Sequence, residues 1–191
     1  MVIVTVLASA VGLQRKNFGR MSCPIARGLE RVGEWWSMLI LRDALAGLTR
    51  FDEFRKSLGI APNMLTRRLN SLVEAGLLER RRYSERPPRE EYLLTGRGRD
   101  VRPILVALYA WGNKHFAPEG ASVVLVETAT GKQADPVLVD RPTGRPLDEA
   151  DYVFVAGPAA SLRTRRHLDF KARARAKRSR VKAPHASKGR R

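Results

Sequence analysis

The sequence holds a single cysteine, Cys23, among 191 residues, which excludes an intramolecular disulfide and any cysteine-clustered zinc or iron–sulfur site. Histidine is almost as scarce. His115, His167 and His185 are scattered, two of them in the last thirty residues, and offer neither a metal cage nor an acid–base pair. No nucleophile elbow, phosphate loop or carboxylate pair on a shared element is present, so the chain is read as a non-enzyme that needs no metal and no cofactor. Long hydrophobic runs are also missing. The apolar stretch 1–13 falls short of the ~20 residues a spanning helix needs, so no membrane partner is expected. It includes Ala8-Ser9-Ala10, which imitates a signal-peptide cleavage site, but no basic residue precedes the run. A mis-assigned start, with the native chain beginning nearer Gln14 or Met21, is the simpler reading of the leader 1–20. A reducing cytoplasm suits the cysteine usage.

Acid is the other shortage, with 19 Asp and Glu against 36 Lys and Arg, a net charge of +17 and a pI near 11.2. Such a balance points to a polyanionic partner. The charge is unevenly placed. Residues 163–191 hold 13 basic side chains and one acid, Asp169, so the 162 residues before them carry only +5.

What is present is a body of helical signals. Pro24 opens a short amphipathic helix with Ile25, Leu29 and Val32 on one side, ending near Gly33. Residues 34–46 form a second helix, apolar around most of its circumference through Trp35, Met38, Leu39, Leu41 and Leu45. A short helix over 51–57 pairs Phe51 with Phe54 and is broken by Gly59; Ala61-Pro62 starts another that runs to Ala75 and stops at Gly76.

This last helix has the sharpest two-faced pattern. Leu65, Leu69, Leu72 and Val73 fall within a ~100° stripe, and Asn63, Arg67, Asn70 and Ser71 lie opposite. Arg and Asn are the side chains that pair bidentately with guanine and adenine edges in the major groove, although a plain solvated face would show the same polarity. The order of elements adds weight. A helix, a glycine-containing turn and the helix 62–75 precede two extended runs, 77–83 and 89–95, joined by a proline-stiffened 84–88, which is a helix-turn-helix followed by a hairpin wing. Candidate DNA contacts are Asn63, Thr66, Arg67, Arg68, Asn70 and Ser71 on the helix, and Arg80, Arg82, Arg86 and Arg89 on the wing. The alternative for arginines 80–82 is a charged edge that discourages strand aggregation, but the groove-facing pattern of the adjacent helix favours phosphate contact.

Thr95 is the expected N-cap of a long helix whose stripe, Val101, Ile104, Leu105, Leu108, Trp111 and Phe116, has little intrachain core to cover and so suggests a homodimer interface. After Pro118 a repeat appears at an offset of 13 residues, Val124 to Lys132 against Val137 to Arg145, each copy a strand followed by a Thr-Gly turn. A third run, 152–155, could extend that small sheet. Beyond 163, alternating alanine and base offers no burial and is expected to be disordered, either as a solubilising tail or as an arm adding counterion-release affinity for DNA.

Several ordered motifs resemble those of the HxlR-type winged-helix transcriptional regulators of bacteria: Cys23-Pro24-Ile25-Ala26-Arg27, Gly33-Glu34-Trp35-Trp36, Arg50-Phe51-Asp52-Glu53-Phe54, Leu65-Thr66-Arg67-Arg68-Leu69, Ala75-Gly76-Leu77-Leu78-Glu79-Arg80 and Pro87-Pro88-Arg89-Glu90-Glu91-Tyr92. The resemblance spans roughly 23–116 and implies a homodimer joined through its terminal helices, with 61–75 as recognition helix and 77–95 as wing. Some such regulators sense oxidants through a cysteine in the setting of Cys23; a lone cysteine is as readily an inert packing residue. The expected architecture is α+β, mainly α: leader 1–20, winged helix-turn-helix with dimerisation helices 21–117, β-hairpin extension 118–162 and basic tail 163–191. The expected function is a cytoplasmic, sequence-specific transcriptional regulator that binds double-stranded DNA at a palindromic operator, with room for a small-molecule effector of unidentified chemistry. The alternative is a non-specific nucleic-acid-binding or architectural protein acting through its tail.

Overall fold

A computed structural model describes Gly19, residues 21–147 and residues 151–182, with side chains through Lys177. The leader 1–18, Arg20 and the end of the tail, 183–191, lie outside the described residues. In chain order the elements are α1 (Pro24–Val32), α2 (Trp35–Leu45), α3 (Phe51–Leu58), α4 (Pro62–Glu74), β1 (Leu78–Glu85), β2 (Pro88–Leu94), α5 (Gly96–Arg99), α6 (Arg102–Phe116) and α7 (Leu162–Lys182).

The core forms where α2, α3 and α4 meet the base of the hairpin. Ile40, Leu41, Phe54, Leu65, Leu69, Leu72 and Leu78 are fully buried there, with Ile60, Leu77, Tyr92 and Val101 closing its margins. A polar tie crosses the same layer, since buried Asp43 accepts from the Ser57 hydroxyl at 2.7 Å and from Arg42 Nε at 2.8 Å, joining α2 to the end of α3. Entry into α3 is fixed by Glu53, whose Oε2 accepts from the backbone N–H groups of Thr49 and Arg50 at 2.9 and 2.8 Å. These two bonds hold its carboxyl below the ordinary glutamate range. Between α3 and α4 the chain turns at Gly59, whose φ of 61° lies in the left-handed region that only a residue without Cβ enters freely.

β1 and β2 pair antiparallel from Leu78 opposite Leu94 to Glu85 opposite Pro88, with an irregularity between Arg82 and Ser84. The residues just before α3 add to this hairpin: Tyr92 N donates to Thr49 O at 2.7 Å and Arg50 bridges Glu91. The wing is thereby fastened to the entrance of the helix-turn-helix.

Three expectations need correction. Thr95 does cap a helix, accepting from Gly98 N at 3.1 Å, but only the one-turn α5; the long helix starts afresh at Arg102-Pro103, because proline cannot donate the backbone bond that would continue the earlier turn. The repeats after Pro118 do not pair as strands of one sheet. Each closes on itself, through bridges Val126 to Gln133 and Val139 to Pro146, at Gly131 and Gly144 with φ near 69° and 68°. In each, a carboxylate accepts from the threonine hydroxyl three residues on, Thr130 to Glu127 and Thr143 to Asp140, both at 2.6 Å, so the turn is locked before a strand lengthens. Residues 152–155 belong to no strand. Finally, the basic segment expected to be disordered continues as helix from Leu162 to Lys182. Burial is indeed absent there, but alanine, arginine and lysine are among the strongest intrinsic helix formers, and Ser161 caps the first turn by accepting from Thr164 N at 3.2 Å.

Candidate nucleic-acid interface

α4 is set against the core by Leu65, Leu69 and Leu72, and this fixes what its other face presents. Asn63, Thr66 and Arg67 stand exposed on the outer side. Thr66 returns its hydroxyl proton to Pro62 O at 3.0 Å, while Arg67 makes no ion pair among the described residues. Asn70 is half-buried and accepts from Arg80 Nη2 at 2.6 Å, so it couples the helix to the foot of the wing.

Arg68 does not belong with them. Its side chain is only 11% exposed, turned toward the start of α2, where Nη2 lies 3.3 Å from Glu34 Oε2. Its Nε is buried with no hydrogen-bond partner among the described residues. Ser71 lies on that same inner flank, half-buried beside Glu30, Glu34 and Glu74 in a depression between α1, α2 and α4. The helical wheel carried the signal: Arg68 and Ser71 sit on one flank of the leucine stripe, which faces α2 once the helices pack.

The wing divides its arginines by height. At its foot Arg80 is held by Asn70, by Glu90 at 3.3 Å and over the Tyr92 ring at 5.6 Å; Arg81 pairs with Glu91 at 2.8 Å and Arg82 with Glu85 at 3.3 Å. Exposed ion pairs of this kind are worth little and exchange readily for a phosphate. Arg86 and Arg89, at the tip, are exposed and carry no ion pair among the described residues. One basic residue of this surface was missed. Arg50 stands exposed beside the wing with its guanidinium 4.6 Å above the Tyr83 ring, brought there by the pairing of 49–50 with β2, a long-range contact that no local pattern announces.

Residues 31–120 match the family described as HxlR-like helix-turn-helix. A protein of Mycobacterium tuberculosis, named an uncharacterized HTH-type transcriptional regulator, is 40% identical over 135 residues, covering 70% of this chain and 85% of its own. The chain belongs to the HxlR-type helix-turn-helix family. This HxlR-type chain is thus a DNA-binding protein of bacterial transcription regulation. A solved structure described as a candidate transcription factor from Pseudomonas aeruginosa is 57% identical, covers 76% of this chain and all of its own, and superposes with a TM-score of 0.57. A second candidate transcription factor, 42% identical, covers 74% of this chain and all of its own with a TM-score of 0.68. Alignments of that length cannot fit within the first 120 residues, so the relatives share part of the segment after Gly120 with this HxlR-type regulator.

Cys23 is exposed and immediately precedes α1. Arg27, one turn into α1, directs its Nε to Met21 O at 2.6 Å rather than to the thiol. Among the described residues no group of side chains could hold a metal ion, and no helix is long and apolar enough to cross a membrane.

Proposed function

We propose that the protein is a homodimeric, sequence-specific regulator that reads a palindromic operator. α4 would lie in the major groove and the wing would reach phosphates or the minor groove. The observation that carries this reading is the exposed row Asn63, Thr66 and Arg67 on a helix whose opposite face is locked into the core, flanked by Arg86 and Arg89 at the wing tip. A rigid helix with groove-facing Arg and Asn supplies base readout, and tip arginines supply position without sequence information.

Dimerisation is supported by two uncovered stripes. α1 exposes Ile25 and Leu29, and Trp35 beyond it is 74% exposed; α6 exposes Ile104, Leu108, Trp111 and Phe116, whereas Val101 and Leu105, expected in the same stripe, pack against the chain's own core. The opposite side of α6 is occupied by the chain itself, since Leu125 N donates to the Tyr109 hydroxyl at 3.0 Å and Asn113 Nδ2 to Val123 O at 3.2 Å. A stripe this apolar, left open beside a covered one, suits a two-fold partner. The regulator would work in the cytoplasm, without catalysis, and Arg68 is withdrawn from the contact set.

The test is selection from a random duplex pool at about 0.15 M salt, where screening suppresses non-specific attraction. The expected product is a palindrome with half-sites ~10 bp apart. Arg67→Ala should lose ~1–3 kcal/mol of discrimination between sites, whereas Arg86→Ala should weaken all sequences alike and flatten the salt dependence. Equal losses on specific and random DNA for Arg67→Ala would remove α4 from the readout.

A further inference from the structure

From the charge and register of α7 we infer that this helix is a second DNA-binding element, which lies in the major groove of B-form duplex flanking the operator. The inference rests on the proposed DNA-binding reading of the body but uses a different part of the chain. α7 holds ten Lys and Arg and one acid, Asp169, over 21 residues. At 1.5 Å per residue that is about 31 Å of helix, the length of about nine base pairs.

From Lys171 onward the charges fall in two ridges, whereas Arg165 and Asp169, in the first two turns, lie closer to the strip between them. Lys171 and Arg175 share one face, Arg173 and Lys177 the opposite one, and the sequence continues both, with Arg178 and Lys182 in the first register and Arg180 in the second. Ala172 and Ala176 occupy the strip between them. Side chains 171–177 are all exposed. A helix lying in a groove about 12 Å wide has a phosphate backbone on either side and base edges below, and two basic ridges around a strip of small residues match that arrangement.

Other polyanions fit less well. A helix for a membrane surface keeps one face apolar, and here both faces are basic. Duplex RNA presents a major groove too deep and narrow for a helix to read. The root of α7 touches the body through the Thr164 hydroxyl, which donates to Ser22 Oγ at 2.8 Å, and is tied to the extension just before it by Arg165 Nη2, which donates to Pro158 O at 3.3 Å. The helix therefore starts beside the entrance of α1. Like charges at i and i+4, Arg173 with Lys177, repel one another in the free protein, and a polyanion relieves that repulsion.

The experiment uses the full chain and a variant carrying Lys171→Gln, Arg173→Gln, Arg175→Gln and Lys177→Gln, in which glutamine preserves helix propensity and circular dichroism checks that helix content is kept. Binding is titrated with salt on three duplexes: the selected operator with ten-base-pair flanks, the same operator trimmed to its half-sites, and a random duplex of the flanked length. Loss of four phosphate contacts from each of the dimer's two α7 helices should lower the slope of log K against log salt by about 7 on the flanked and random duplexes and leave it unchanged on the trimmed operator. Dimethyl sulfate should find flank guanines protected at N7 by the parent chain and not by the variant. Unchanged slopes, or no N7 protection in the flanks, would overturn the inference even if operator preference persists. A slope change without any operator preference would uphold α7 and overturn the reading of α4. Equal slope changes on the trimmed operator, or tighter binding to single-stranded RNA than to duplex DNA, would also overturn it.

Discussion

Residues 24–116 and the segment after Pro118 are organised by different forces. The first is built around seven fully buried large side chains, and every helix from α2 to α4 contributes at least one residue to that interior. The second leaves Val124, Val126, Leu138, Val139 and Phe154 exposed and is held by turns, carboxylate–threonine bonds and two hydrogen bonds to α6. Burial can place a recognition helix to the fraction of an ångström that base readout needs, because a packed interior resists displacement. Local hydrogen bonds fix a turn without fixing its position against the rest. The proposed base-reading residues accordingly sit on the first region and, in α7, charge that tolerates imprecise placement sits on the second.

The contrast can be broken by substitution. Leu69→Ala removes a fully buried side chain from the centre of α4 and should cost about 2–5 kcal/mol in urea unfolding. Val139→Ala, on an exposed repeat, should stay within about 0.5 kcal/mol. Comparable losses at the two sites would mean that the extension has a cooperative core of its own. Next in size, Thr95→Ala deletes the oxygen that caps α5 and the hydroxyl that donates to Gly76 O at 2.7 Å, and should cost about 1 kcal/mol. No change in the unfolding midpoint would show that the joint between wing and α6 does not depend on it.

The smallest effect is electrostatic. The Glu53 carboxyl is depressed by its bonds from Thr49 N and Arg50 N, so folding is favoured while it is ionised. That contribution is complete above the unfolded value of about 4.3 and fades as pH falls through the lower folded value. Glu53→Gln should therefore shrink the difference in thermal midpoint between pH 6 and pH 3. An unaltered difference would assign the acid sensitivity to other carboxylates.

The boundaries of α3 and α4 were legible because punctuation sits in the chain itself, at Gly59, Pro62 and Gly76. The wing was legible from its two extended runs and stiffened tip. Arg68 and Arg50 were not, since the inward turn of one and the wing-side position of the other follow from packing between elements distant in sequence. The order of α7 is hidden for another reason: a segment without apolar residues signals no burial, while the helix propensity of its alanine, arginine and lysine acts without any.

By itself, the sequence determined the bounds of α3 and α4, the leucine stripe of α4, the hairpin and the uneven charge, because these depend on neighbours within a few residues. Only the tertiary structure decided which flank of α4 is hidden against Glu34 and that residues 49–50 join the wing. Those outcomes are set by which surfaces meet, and contact between surfaces is a property of the folded chain as a whole.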